Sequence, residues 1–193
     1  MKRIVSTLFT FLLSASLFAQ QHLSFLGVPI DGSLTEFVSA LEEKGLVAGD
    51  YIDTNIATLT TEKNGQPITV LAVATKDLRH TYKVVVMPEP KYGWKNLRNE
   101  YLNNKRALVA AYGEPDECYE FFLPPYNTRR MMKRYALKAL NEGYAQWVSA
   151  FTITGTGDET IGSILLEIRP YAHLARVVTT LEDEANARFA EEE

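Results

Sequence analysis

The chain is poor in the residues that do most enzyme chemistry, with one cysteine and three histidines among 193 residues. A single Cys118 excludes an internal disulfide, so an exported chain of this kind must be held together by its apolar core. In the stretch CYEFF that lone cysteine reads as a small buried apolar residue, because a reactive thiol needs a neighbouring base and none can be assigned. No cysteine stands near residues 19–21 either, so no lipid-bearing N-terminal cysteine is expected.

The zinc-protease HExxH, the Walker phosphate loop, paired CxxC motifs and the GxSxG nucleophile elbow are all missing. His22 stands beside a cleavage-like junction, and His80 and His173 sit in polar turns. A metal site built from the last two, with Asp77, has no ligand spacing to support it, so neither a metal nor a cofactor is expected. Beyond the first twenty residues no apolar run is long enough to cross a bilayer, so no transmembrane segment is expected once the leader is removed.

That leader is MKRIVSTLFTFLLSASLFAQ. Lys2 and Arg3 precede an uncharged run from Ile4 to Phe18, shorter than the roughly 20 apolar residues a spanning helix needs, and Ala19 closes it. Residues 1–19 therefore read as a secretory signal peptide, and the mature chain as periplasmic or secreted. Losing Lys2 and Arg3 takes the formal net charge from −4 to −6. Such a balance argues against nucleic acid as a partner.

The rest of the chain reads as helices alternating with strand meanders. Leu34, Phe37, Val38 and Leu41 make one apolar face of a first helix, from Leu34 to about Lys44, which Gly45 ends. Its start, SLTE, is a capping box, with Ser33 and Glu36 each able to satisfy the other's backbone N–H. The glycines and Pro29 of FLGVPIDGSLTEF thus shape a turn rather than cradle a ligand, and Asp31 would stand in the way of an anion. Strands are expected over 51–61, 67–75 and 82–87, the first two joined by a turn containing Asn64 and Gly65.

A second helix is expected over about 94–112, stopping at YGEP, and a strand over 117–123. Alternation along that strand sends Tyr119, Phe121 and Leu123 to one face and Cys118, Glu120 and Phe122 to the other, and at least one set should be core. A third helix from about Arg129 to Glu142 precedes strands over 144–154, 160–169 and 173–181. The acidic tail 182–193 is expected to fray.

These elements form a weak repeat. One helix ends in EEKG and another in LNEG, and each leads into a three-stranded meander. The expected organisation is a first helix-meander unit over 20–90, a linking helix and strand over 91–127, and a second helix-meander unit over 128–181. The fold class is α+β: two helix-plus-three-stranded antiparallel meanders, forming a continuous or paired sheet with helices on one face.

Candidate binding residues come from two patterns. Arg130, Arg134 and Lys138 recur every four residues and should line one edge of the third helix, a basic stripe suited to an acidic partner. Tyr92 and Trp94 in YGW, and Tyr126 after YEFFLPP, offer rings that could stack on sugars. The glycine-rich TGTGDET at 154–160 runs into a strand and offers only Asp158 and Glu159 as oxygen ligands, so it reads as a hairpin turn rather than a phosphate or calcium loop.

The leader ending FAQQ, followed by FLGVPIDGSLTEFVSALEEKGL, a helix ending AAYGEP and the segment YEFFLPPY, resembles a group of secreted or periplasmic proteins of Gram-negative gut anaerobes. These motifs are helix ends and turns, so the resemblance implies a fold and transfers no catalytic residue. In architecture, the helix-then-meander units are similar to the small lipoprotein of the β-barrel assembly machinery and to the tandem-repeat β-lactamase inhibitor protein, both binding modules. The chain departs from the first in lacking the lipid-bearing cysteine and from the second in having no possible internal disulfide.

The expected function is that of an exported, non-catalytic module binding a protein or an envelope glycan through a sheet face or the basic helix edge. The alternative is a small secreted hydrolase or carbohydrate-binding protein acting on envelope or dietary polymers. Converging Asp, Glu or His in a deep pocket would favour the enzyme, and a sheet with exposed aromatics would favour the module.

Overall fold

The computed structural model describes residues 22–63, 65–156 and 158–191. The leader 1–19 and its junction, Asn64 of the expected hairpin turn, Gly157 of TGTGD and the last two glutamates lie outside the described residues. Two compact units make up the described chain. One comprises residues 22–86 with Thr152–Ile164 and 180–191, the other Met87–Phe151 with Leu165–Thr179.

Ten strands and four helices are described. A two-stranded ribbon, β1 (Ser24–Phe25) and β2 (Val28–Pro29), opens the chain. Its turn residues Leu26 and Gly27 both have positive φ, 54° and 75°, the geometry of a primed two-residue hairpin. Helix α1 (Leu34–Glu43) follows, with the Ser33–Glu36 capping box formed and Leu34, Phe37, Val38 and Leu41 buried. The spacing read from the sequence is thus the face that packs, because residues three and four apart share one side of a helix.

Strands β3 (Val47–Asp53), β4 (Ile56–Lys63), β5 (Gln66–Ala74) and β6 (Thr81–Pro88) come next. The run expected as one strand over 51–61 is two strands, turned at Thr54 and Asn55, where the Asp53 carboxylate accepts from the Thr54 N–H at 2.7 Å. A side chain bonding the backbone this way replaces a ladder bond, which is why Asp and Asn favour turns.

After β6 come α2 (Trp94–Tyr112), β7 (Glu117–Phe122) and α3 (Arg129–Asn141). Three long strands and a short helix complete the chain: β8 (Ala145–Thr154), β9 (Thr160–Tyr171), β10 (Leu174–Asp183) and α4 (Glu184–Glu191). Strands β3 to β10 form one eight-stranded antiparallel sheet in the order β3-β4-β5-β6-β10-β9-β8-β7, so the protein is mixed α+β with the sheet dominant.

In the first unit the core joins the apolar face of α1 to Ala57, Leu59, Val70 and Ala72 of β4 and β5. The acidic tail, expected to fray, is instead anchored there. Asp183, fully buried, caps α4 by accepting from the Asn186 N–H at 3.0 Å, and also accepts from the Leu23 N–H at 2.8 Å. The Asn186 amide donates to the Ile30 and Thr81 carbonyls, each at 3.1 Å. Leu181 and Asp183 are the inward residues at the end of β10, and an aspartate can take that place because its two oxygens find donors from other elements, which a count of charges does not register.

In the second unit Leu97, Tyr101 and Leu108 of α2 are buried, and Trp147, Ser149 and Phe151 of β8 point the same way as one another. Tyr101 Oη and Ser149 Oγ lie 2.6 Å apart, satisfying two buried hydroxyls at once. The ring of Trp147 takes Trp94 edge-on at 5.0 Å and Tyr101 at 5.5 Å, the perpendicular arrangement that aromatic quadrupoles favour.

Candidate functional site

The strand β7 forms an exposed edge of the second unit. It lies at the end of the sheet order and, among the described residues, pairs only with β8, over six consecutive pairs from Glu117 with Ala150 to Phe122 with Ala145. Tyr119 and Phe121 stand opposite Val148 and Gln146, on the face away from the helices, and remain 44% and 37% exposed. Cys118, Glu120 and Phe122 stand opposite Ser149, Trp147 and Ala145, on the helix side. Neither alternating set is core, contrary to the expectation from the sequence, because an edge strand has a neighbour on one side only.

Cys118 is likewise exposed rather than buried. Above it lies Lys105 of α2, whose Nζ is 3.0 Å from Cys118 Sγ and 2.7 Å from Glu120 Oε1. Burial alone would lower the pKa of that ammonium. Its hydrogen bonds to Cys118 and Glu120 outweigh burial and raise it, so Lys105 is firmly charged. One long side chain thus covers the helix-side flank of the edge, its stem over the strand and its charge on the carboxylate.

The other face of the second unit's sheet presents more aromatic and guanidinium groups. Arg176 of β10 lies over the Tyr171 ring, 4.6 Å from its centroid, and Arg169 pairs with Glu167 on β9. Val148 and Ala150 of β8 and Leu165 of β9 are only half-buried. Tyr, Phe and Arg around half-buried apolar residues is the composition that distinguishes protein-binding surfaces from ordinary surface.

The residues singled out in the sequence are scattered among different roles. Trp94 is half-buried, its ring edge-on to Phe122 at 5.2 Å as well as to Trp147. Tyr126 is buried, and its hydroxyl donates to Glu142 at 2.8 Å. Tyr92 is exposed and tilted against His173 at 5.4 Å. Arg130, Arg134 and Lys138 are all exposed on α3. However, Tyr135 breaks that helix with φ −128° and ψ 15°, so the regular advance that would align the three is interrupted between 134 and 138. Arg134 lies over the Tyr135 ring at 5.3 Å and Lys138 pairs with Glu142 at 3.7 Å.

His80 stacks on Phe189 of α4 at 4.2 Å. Asp77 accepts from the Thr75 hydroxyl at 2.5 Å and the Arg79 N–H at 3.0 Å, as a turn-forming aspartate does. Among the described residues no group of three or more His, Cys, Asp and Glu is placed to hold a metal ion, and no helix is long and apolar enough to cross a membrane. A shallow hollow against α2 is lined by Leu102, Lys105, Arg106, Val109 and Glu114, with Glu114 its one carboxylate. The edge of β7 and its exposed aromatics were missed by sequence reading. Pro115 and Pro124 bracket ECYEFF and signal a short strand, but its place at the edge has no local signal.

Comparison with protein-family models, curated proteins and solved structures finds no match to this chain.

Proposed function

We propose that the protein is an exported, non-catalytic binding module that recognises another protein through the open sheet face and edge of its second unit. The observation carrying this reading is the pair Tyr119 and Phe121, aromatic, exposed and on the same face of a strand at the end of the sheet. Leaving two such rings in water has a cost of order 1 kcal/mol each that a partner would recover. In this reading the α1-led and α3-led stretches are two versions of one helix-and-meander plan, and the residues 1–19 direct export. The basic residues Arg130, Arg134 and Lys138 are secondary to β7, because the break at Tyr135 separates them and Lys138 already meets Glu142.

The test is affinity capture of partners from an envelope extract, comparing the wild-type protein with a Tyr119→Ala/Phe121→Ala variant. Both side chains are partly exposed, so the variant is expected to keep its thermal midpoint and lose its captured partner. Identical captured proteins in both samples would overturn the reading.

A further inference from the structure

The geometry points to β7 as the docking edge for an extended, cationic strand of a partner protein. This deepens the binding-module reading and rests on it. The Leu123 N–H donates to the Tyr144 carbonyl at 2.7 Å, which sets the phase of the β7–β8 ladder. In an antiparallel pair, backbone groups alternate between facing the neighbour and facing away. Hence Tyr119 and Phe121 turn their N–H and C=O groups to β8, while Cys118, Glu120 and Phe122 turn theirs outward from the sheet.

The other end of the sheet is protected, and this end is not. Strand β3 has register shifts between Ala48 and Tyr51 and again between Tyr51 and Asp53, irregularities of the kind that stop another chain from pairing. Strand β7 runs through its six pairs without one, and five of its six residues are exposed. Such an edge can take an added strand, gaining main-chain hydrogen bonds from the backbone and specificity from alternate side chains.

Charge selects the occupant. Glu114, Asp116, Glu117 and Glu120 fall within seven residues, and Lys105 meets Glu120. A second copy of the chain pairing through β7 would set these acids against their own counterparts, which like charges on opposed strands disfavour. A strand alternating lysine or arginine with apolar residues would instead bring cations to the side that carries Glu120 and apolar groups beside Tyr119 and Phe121, with Glu117 at the end of that second face. Pro115 and Pro124 bound the edge, so the added strand needs only about six residues.

The proposal is tested by fluorescence anisotropy with a labelled synthetic peptide alternating Lys with Val and Phe, against the same peptide carrying Glu for Lys. Two further versions carry backbone N-methyl groups on one or the other set of alternate amides. Binding is expected for the basic peptide, with the acidic one and one N-methylated version at least tenfold weaker and the second N-methylated version unchanged. Glu120→Ala should weaken binding modestly through charge, and Glu120→Pro, which removes an outward N–H without touching the β8 ladder, by a further factor of about ten. Equal binding of both N-methylated peptides, equal binding of the acidic peptide, or a β7-dependent dimer in sedimentation would overturn it. The N-methyl comparison leaves the protein unaltered, so it decides the matter even where the proline variant fails to fold. Capture that depends on Tyr119 and Phe121 with no N-methyl discrimination would sink the strand-addition proposal alone, whereas loss of both effects would remove the binding-module reading too.

Discussion

The carboxylate of Asp183 accepts a hydrogen bond from the backbone N–H of Leu23 at 2.8 Å, joining residues 160 positions apart. The same side chain, fully buried, takes the Asn186 N–H at 3.0 Å and lies 3.1 Å from His22 Nδ1. Replacing it by alanine strands buried backbone donors and opens a small cavity. Asp183→Ala is expected to cost about 3 kcal/mol in urea unfolding and Asp183→Asn, which keeps an acceptor oxygen, about half that. A cost below ~1 kcal/mol for the alanine variant would show that this anchor is dispensable.

Gly162 on β9 has no room for a side chain. A Cβ there would collide with the Glu182 carbonyl oxygen and stand 3.2 Å from Leu23 Cδ2. The carbonyl is backbone and cannot rotate away, so Gly162→Ala should destabilise by about 2–3 kcal/mol. The neighbouring exposed Ser163→Ala should change stability by no more than ~0.5 kcal/mol. Thermal melts of the two variants give the contrast, and equal midpoints would refute it.

Burial pushes the Tyr101 phenol up to about 12, against the opposing pull of its bond with Ser149. A raised value favours the neutral form in the folded state. Its stabilising contribution is therefore complete below the ordinary value of 10.0 and is lost as pH rises through about 12. Tyr101→Phe should cost ~1 kcal/mol near neutral pH, because Ser149 Oγ loses its partner, and should flatten the fall in melting temperature between pH 10 and 12. An unchanged alkaline limb would contradict this. Tyr112, also raised by burial, supplies part of the remaining slope.

At acid pH the first unit should weaken through three carboxylates. For Asp31, burial works upward but the bonds from Asn186 and the Gly32 N–H prevail and lower its pKa below 3.8. Glu36 is lowered from 4.5 by Ser33, and Asp77 from 3.8 by Thr75 and the Arg79 N–H. A lowered value means stability that is present above the unfolded pKa and lost as pH falls through the folded one. Near-ultraviolet circular dichroism from pH 6 to pH 2 should therefore show a decline beginning near pH 4.5. A Glu36→Gln/Asp77→Asn variant should be less stable at neutral pH and decline less steeply. Parallel declines would remove these groups as the cause.

Much of the candidate surface was only half legible beforehand. The strand over ECYEFF and its alternation followed from residue types, yet the alternation was read as implying a buried set. Whether such a strand is central or at an edge depends on which other strands flank it, and nothing within six residues encodes that. Cys118 shows the same gap, since its exposure follows from its place on an edge rather than from its chemistry. The basic stripe of α3 assumed an unbroken helix, and the non-helical backbone of Tyr135 interrupts it.

What the sequence determined by itself is local. The capping box of Ser33 and Glu36, the buried face of α1 and the helix stops at Gly45, Gly113 and Gly143 all depend on groups within a few residues, where hydrogen bonding and steric limits act through the chain itself. Tertiary structure decided the rest. The sheet order that leaves β7 at the edge, the burial of Asp183 and Asn186 in an acidic tail, and the space that Gly162 must leave open are set by partners up to 160 residues away. Their physical reason is common to all three. A polar group can be buried, or an edge left free, only according to what the remainder of the chain brings beside it.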